Sequence, residues 1–376
     1  MIACHAFYQA LLERKISLFT GVPDSLLKDF CACIEDHTDP GNHIIAANEG
    51  NAVALAAGHY LATGRPALVY MQNSGQGNAI NPLTSLVDPR VYSIPMLLLI
   101  GWRGEPGTED EPQHVKQGEV TLPLLETLGI DHELLPGNLE QAVAGLDGAV
   151  DVMLRFSRPY AFVVRKGTFE AYESQARPDS HCEMVREDVV KMVAEALGPQ
   201  SVVVSTTGKA SRELFEYRAA LGHERSGQDF LTVGSMGHAS QIALGIALAK
   251  PDRQVVCLDG DGALIMHMGA LAIIGSQAPR NLKHVVVNNG AYDSVGGQPT
   301  VGYDIDIPAI AQACGYAVVL RAESRDELKV QLGTLQAREG PALLEVRVNR
   351  GARIDLGRPT LTPVENKESF MRFLEG

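Results

Sequence analysis

No apolar run in this sequence approaches the ~20 residues needed to cross a bilayer; the longest, around Ile94–Trp102, has the length of a strand. No membrane partner is expected. Six cysteines (Cys4, Cys31, Cys33, Cys182, Cys257 and Cys314) lie scattered without a Cys-x-x-Cys pair, so spacing points to neither a disulfide scaffold nor a metal motif. Cys31 and Cys33 fall in an apolar helical segment and are expected as buried thiols. The start, Met1-Ile2-Ala3-Cys4-His5, has no basic region followed by an apolar core, so no secretion signal is expected there. Reduced thiols then make the cytoplasm the expected location. Positive charge is scarce as well: 32 Lys and Arg against 45 Asp and Glu leave a net charge of -13, which argues against a nucleic-acid partner. A small anionic substrate is compatible with this, because screening over ~8 Å lets local cations decide.

What is present is a globular composition, 45% hydrophobic and 20% charged over 376 residues, with room for two domains. Strand-like and helix-like segments alternate in both halves. They predict an α/β protein of two similar domains, each with a mainly parallel sheet flanked by helices. Glu170–Glu183 is polar, contains Pro178 and lacks a period; it predicts a linker over 170–183 between domains at 1–169 and 184–376.

The most informative stretch runs from Gln254 to Gly290. Gln254–Leu258 reads as a buried strand, Ala263–Ser276 as a helix and His284–Asn288 as a second strand. Asp259-Gly260-Asp261-Gly262 and Asn288-Asn289 then sit at the carboxyl ends of neighbouring parallel strands, where open α/β sheets bind ligands. Gly-Asp-Gly alone is a tight turn. Joined by the Asn pair it becomes an under-filled oxygen site, which suits Mg²⁺ when a ligand's phosphates supply the remaining oxygens.

In the first half, Ser17–Thr20 and His43–Ala47 read as strands. Asp24, after the first, either caps the following helix or faces a ligand cleft. Glu49, after the second, either complements a helix dipole or does chemistry. Strand Ala67–Met71 leads into Gln72-Asn73-Ser74-Gly75-Gln76-Gly77-Asn78, a loop whose backbone N–H groups can face an anion. Strand Pro95–Gly101 leads into the polar, irregular stretch Trp102–His114, the kind of loop that carries function. In the second half, Phe230–Val233 precedes Gly234-Ser235-Met236-Gly237-His238 and an Ala-rich helix to Ala249.

Gly260-Asp261-Gly262 with Asn288-Asn289, and Glu49-Gly50-Asn51-Ala52-Val53 with Ala56-Ala57-Gly58, resemble the two signatures of thiamine diphosphate enzymes. Gly21-Val22-Pro23-Asp24-Ser25-Leu26-Leu27, Gln72-Asn73-Ser74-Gly75, Trp102-Arg103-Gly104-Glu105-Pro106-Gly107 with Asp110-Glu111-Pro112-Gln113-His114, and Asn289-Gly290-Ala291-Tyr292 with Ser294-Val295-Gly296-Gly297-Gln298-Pro299-Thr300 narrow the likeness. Over nearly the whole chain the sequence is similar to thiamine diphosphate-dependent decarboxylases of 2-oxo acids that carry a second anionic group.

That resemblance implies thiamine diphosphate and Mg²⁺ as cofactors, with the pyrimidine domain first and the diphosphate domain second. It implies that Asp261, the Asn289 side chain and the Ala291 carbonyl hold Mg²⁺, while Gly260, Gly262 and Ala263 border the diphosphate. Gly234 and Met236 would hold the aminopyrimidine, and Glu49 would share a proton with it. Asp24 and His114 are the other catalytic candidates. Arg103, Ser74, Lys116 and Lys209 are the substrate-binding candidates; Lys209 stands where the resemblance leads to an aromatic residue. The implied activity is that of a carbon–carbon lyase of phosphonate metabolism, converting 3-phosphonopyruvate to phosphonoacetaldehyde and CO₂. Sulfopyruvate or another 2-oxo acid is the alternative substrate. A non-catalytic phosphate-ligand binding protein of the same fold is a second alternative. A homo-oligomer, at least a dimer with its site between subunits, is implied too.

Overall fold

The computed structural model describes residues 1–175, 181–223 and 226–376. The chain divides into two units, Met1–Pro178 and Asp179–Gly376; positions 176–180 of the expected linker lie outside the described residues.

In the first unit the chain runs α1 (Cys4–Glu13), β1 (Phe19–Gly21), α2 (Lys28–His37), β2 (His43–Ile45), α3 (Glu49–Thr63), β3 (Leu68–Gln72), α4 (Gln76–Ser85), β4 (Leu97–Gly101), α5 (Pro112–Thr127), β5 (Asp131–Leu134), α6 (Leu139–Phe156) and β6 (Tyr160–Val164). Its strands form one parallel sheet in the order β2-β1-β3-β4-β6-β5. Helices cover both faces, so successive side chains of a strand are buried on opposite sides. Leu68 and Tyr70 of β3 enter one core with Leu97 and Leu99 of β4, while Val69 and Met71 enter the other with Leu98 and Ile100. This two-sided burial is why these strands read as unbroken apolar runs.

The second unit runs α7 (Arg186–Ala196), β7 (Val202–Ser205), α8 (Lys209–Ala220), β8 (Asp229–Leu231), α9 (Ala239–Ala249), β9 (Val255–Gly260), α10 (Asp261–Met266), α11 (Ala270–Gln277), β10 (Leu282–Asn288), α12 (Ile307–Ala313), β11 (Val318–Ala322), α13 (Arg325–Ala337), β12 (Ala342–Arg347) and α14 (Pro363–Glu375). Its parallel sheet has the order β11-β12-β10-β9-β7-β8. Counted from each unit's own first strand, the two orders are the same list read in opposite directions. The expected pair of similar parallel α/β domains is therefore what the chain forms.

Three local expectations need correction. The single helix expected over Ala263–Ser276 is broken: α10 ends at His267 (φ -134°, ψ 46°) and α11 begins after Gly269. The apolar spacing runs across the break because Leu264, Leu271 and Ile274 bury in one core. Asp24 does not cap α2, whose N-cap position is Leu27. The loop expected to run to His114 stops earlier, since Pro112 opens α5 at a position where its missing N–H costs nothing.

Candidate active site

In the first unit the site is built on the carboxyl ends of β1, β2, β3 and β4. Glu49 is the first residue of α3, and the helix is capped by the Asn48 side chain, which accepts from Asn51 N–H. The Glu49 carboxyl is buried, 5% exposed, and Oε2 accepts from Asn78 Nδ2 at 2.7 Å. Burial raises its pKa, with the Asn78 bond partly opposing. Gly75 makes room for it: a Cβ there would lie 2.4 Å from Glu49 Oε1. Such a carboxyl is suited to sharing a proton.

The turn Asn73–Gly75 joins Glu49 to a second cluster. Asn73 Nδ2 donates to the Arg103 carbonyl at 2.8 Å and to Thr121 Oγ1 at 2.9 Å. Ser74 Oγ accepts from Gln72 Nε2 at 2.7 Å. Arg103 donates from Nε and Nη2 to Asp110 at 2.8 and 2.5 Å, and from Nη1 to Ser25 Oγ at 2.7 Å. His114 Nδ1 lies 2.8 Å from Asp110 Oδ1. Burial would raise the Asp110 carboxyl, but bonds from Arg103, His114 and Gly104 N–H hold it well below the usual carboxylate range. The His114 ring is lowered, first by burial, then by the Arg103 charge, against the opposing pull of Asp110.

Asp24 is wholly buried, with Oδ2 accepting from Leu26 N–H at 3.0 Å and Oδ1 unpartnered. Burial pushes its pKa up to about 6, with Arg103 and local N–H groups opposing. Asp24, Arg103 and His114 are thus brought together, as are Glu49 and the turn that holds Ser74. Lys116 is not: its side chain is 81% exposed and pairs with Glu119 at 2.9 Å.

In the second unit the site lies at the ends of β7, β9 and β10. Asp261 opens α10 and is 2% exposed. Its Oδ1 accepts from Asn289 N–H at 3.4 Å and its Oδ2 from the Thr300 hydroxyl. Burial pushes its pKa up to about 6. Gly290 turns the chain after Asn289 with φ 61°, where a Cβ would meet the Tyr303 ring at 2.8 Å. Asn289 Oδ1 accepts from Ala291 N–H at 3.1 Å, and Nδ2 donates to Asp293 Oδ2 at 2.7 Å.

A buried carboxylate that no chain cation pairs among the described residues, next in space to the residue that carries an amide oxygen, offers hard-oxygen donors that fit Mg²⁺. A Cβ on Gly260 would lie 4.0 Å from the Val287 carbonyl oxygen, Gly262 packs on the Tyr292 ring, and Ala263 is buried in the first turn of α10. Met236 is half-buried between Ser235 (φ 53°) and Gly237 (φ 84°), in the irregular segment with Gly234 that precedes α9. Lys209 opens α8 half-buried, with no carboxylate within 4 Å among the described residues; burial lowers its pKa.

Sequence reasoning assigned no role to Asp110, Asn78, Thr300 or Asp293. The first three lie inside motifs already singled out, so their polarity was the available signal. Asp293 joins Arg186 and Glu213 in a buried ion cluster, with Arg186 at 2.9 Å from Asp293 and 2.8 Å from Glu213. No spacing links those three.

Two parallel sheets of matched topology, one presenting a buried glutamate and the other a Gly-Asp-Gly with an Asn-Asn, define the class of thiamine diphosphate enzymes. Family models agree: residues 1–123 match the thiamine pyrophosphate enzyme N-terminal TPP binding domain, and residues 206–346 the C-terminal TPP binding domain. A phosphonopyruvate decarboxylase of Streptomyces viridochromogenes is 36% identical over 100% of this chain and 95% of its own length. One from Streptomyces hygroscopicus is 36% identical over 99% of this chain and 94% of its own. A sulfopyruvate decarboxylase of Methanosarcina acetivorans is 29% identical over 98% and 95%. The chain belongs to the thiamine pyrophosphate-dependent decarboxylase family.

Proposed function

We propose that this lyase converts 3-phosphonopyruvate to phosphonoacetaldehyde and CO₂. In that reaction the bond between the carboxylate carbon and the keto carbon breaks, and a proton takes the place of CO₂. Bound thiamine diphosphate supplies the electron sink for the pair that CO₂ leaves behind. The observation that carries a catalytic reading is Glu49. A buried carboxyl with a raised pKa is costly to keep, and diphosphate binding alone has no use for it. In this reading Glu49 exchanges a proton with the cofactor's pyrimidine, while Asp24 and His114 handle protons near the keto carbon. Arg103, Ser74 and Lys209 face the substrate's anionic groups; the exposed ion pair of Lys116 makes it the weakest of the four substrate candidates.

Phosphonopyruvate is favoured over sulfopyruvate by the higher full-length identity to the phosphonopyruvate decarboxylases, 36% against 29%. The same reading assigns Mg²⁺ to Asp261, Asn289 and the Ala291 carbonyl, with Gly260, Gly262 and Ala263 beside the diphosphate and Gly234 and Met236 beside the aminopyrimidine. It takes the domains as pyrimidine-binding at 1–169 and diphosphate-binding at 184–376. It also takes the protein as a cytoplasmic homo-oligomer, at least a dimer; no described helix is long and apolar enough to cross a membrane.

The test is CO₂ release with thiamine diphosphate and Mg²⁺ from phosphonopyruvate, sulfopyruvate and pyruvate at equal subsaturating concentrations. Phosphonopyruvate should dominate, and Glu49→Gln should lower its turnover at least ~10²-fold while leaving the melting temperature within a few degrees. A dominant rate on sulfopyruvate replaces the substrate; unchanged turnover in Glu49→Gln removes the catalytic assignment.

A further inference from the structure

Asp110 receives five hydrogen bonds on two oxygens. Oδ1 accepts from Arg103 Nη2 at 2.5 Å, Glu111 N–H at 2.8 Å and His114 Nδ1 at 2.8 Å. Oδ2 accepts from Arg103 Nε and Gly104 N–H, both at 2.8 Å. A carboxylate so surrounded by donors is ionised and can only accept. The nitrogen of His114 that faces it must therefore carry a hydrogen. In the neutral ring this leaves Nε2 with the lone pair, and Nε2 has no hydrogen-bond partner among the described residues.

The support beneath this contact is closely packed. His114 lies in the first turn of α5, and the Arg103 loop is pressed onto that helix at two glycines. A Cβ on Gly104 would sit 2.0 Å from the His114 carbonyl oxygen, and one on Gly118 would sit 1.5 Å from the Gly104 carbonyl oxygen. Trp102 Nε1 adds a bond to the Gly118 carbonyl at 2.9 Å. The loop and the helix are packed backbone to backbone, with Asp110 between the Arg103 and His114 side chains.

We infer that Asp110 is a positioning residue: it holds His114 in the Nδ1–H tautomer, leaving Nε2 as the ring's only acceptor toward substrate, and with the same carboxylate aligns Arg103. The inference rests on the proposed decarboxylase reading for what His114 and Arg103 meet, but the tautomer does not. A group that works this way acts through His114 rather than on the substrate.

The first measurement is a long-range ¹H–¹⁵N spectrum of histidine-labelled protein, with His114 assigned by comparison with His114→Gln. His114 should show Nδ1 protonated, and Asp110→Ala should shift it toward the Nε2–H form; Nε2–H in the unaltered protein overturns the inference. The second is kinetic, using Asp110→Asn, which keeps the side chain's size. With phosphonopyruvate, kcat should fall ~10²-fold, the scale of acid–base assistance, with thiamine diphosphate affinity unchanged. Combined with His114→Gln, Asp110→Asn should lower kcat no further than His114→Gln alone, within about threefold, since coupled groups do not add; what Asp110 does through Arg103 appears in KM instead. Losses that multiply, or a fall in melting temperature with kcat intact, give Asp110 a purely structural role and overturn the inference. If the unaltered protein turns over no 2-oxo acid, the functional reading fails while the spectrum still decides the tautomer.

Discussion

Replacing Asp24 by Asn should stabilise the protein at pH 8 and change little at pH 4. Asp24 is 0% exposed, and its folded pKa is pushed up to about 6, against ~3.9 for an unfolded aspartate. The folded chain therefore holds a proton that the unfolded chain releases between those two values. Stability is untouched below the unfolded pKa, falls as pH rises from about 4 to about 6, and stays reduced above. Two units correspond to about 3 kcal/mol, as an order of magnitude. The amide mimics the protonated acid: its oxygen keeps the Leu26 N–H bond, and its NH₂ takes the place of Oδ1, which has no partner. Both neutral forms leave one buried group unsatisfied, so that cost largely cancels at low pH.

The gain at pH 8 is thus about 2–3 kcal/mol. For a unit the size of Met1–Pro178 this is a rise of about 5–10 °C in melting temperature. Calorimetry of both proteins at pH 4, 6 and 8 reads the difference, and CO₂ release at pH 8 should fall as stability rises, the signature of a carboxylate kept for chemistry. A stability difference that is flat from pH 4 to pH 8 refutes the reasoning, because burial of the charge is its only source.

Gly75→Ala tests the seat of Glu49. The backbone (φ -69°, ψ -17°) accepts alanine, but the new Cβ meets three Glu49 atoms at 2.4–2.5 Å, so the carboxyl must shift by roughly 1 Å; turnover should drop ~10²-fold, and full activity would clear Gly75 of that role. Arg186→Met strips the cation from Glu213, 2% exposed, and from Asp293; denaturant unfolding should show a loss of about 3–5 kcal/mol, largely recovered when Glu213→Leu is added. Lys116→Ala removes a side chain that, among the described residues, is tied only to Glu119 at the surface, so KM should move less than about twofold; a tenfold rise would return Lys116 to the substrate site.

The parallel architecture was legible because strands buried on both faces give apolar runs that punctuation bounds cleanly. α9 comes out at its expected end, where the Ala-rich pattern stops before Lys250. What periodicity missed is what tertiary contact decides. The spacing from Leu264 to Ile274 is helical through the break at His267 because both pieces face one core. Asp24 looked like a cap by composition, yet its carboxyl turns back onto Leu26 N–H and against Gly101, where a Cβ would lie 2.0 Å from Oδ2. Arg103 looked like a free cation; three of its five N–H groups are already taken, two by Asp110 from the same loop and one by Ser25. Sequence names the donors and acceptors but not which of them have found each other.

That distinction sorts the carboxylates of the site. Asp110, matched to Arg103 and His114, is held low and stays ionised whatever binds. Asp24, Glu49 and Asp261 are buried without an ion-pair partner of their own among the described residues, and burial raises all three. A buried carboxyl in that state is balanced between holding a proton and meeting a cation or a donor brought from outside, and the balance costs stability until the partner arrives. In the proposed reading Asp261 meets a hard divalent cation, Glu49 a basic ring nitrogen and Asp24 a proton in transit. Those three keep their ion pairing open to what binds in that reading, whereas Asp110 already has its partners within the chain.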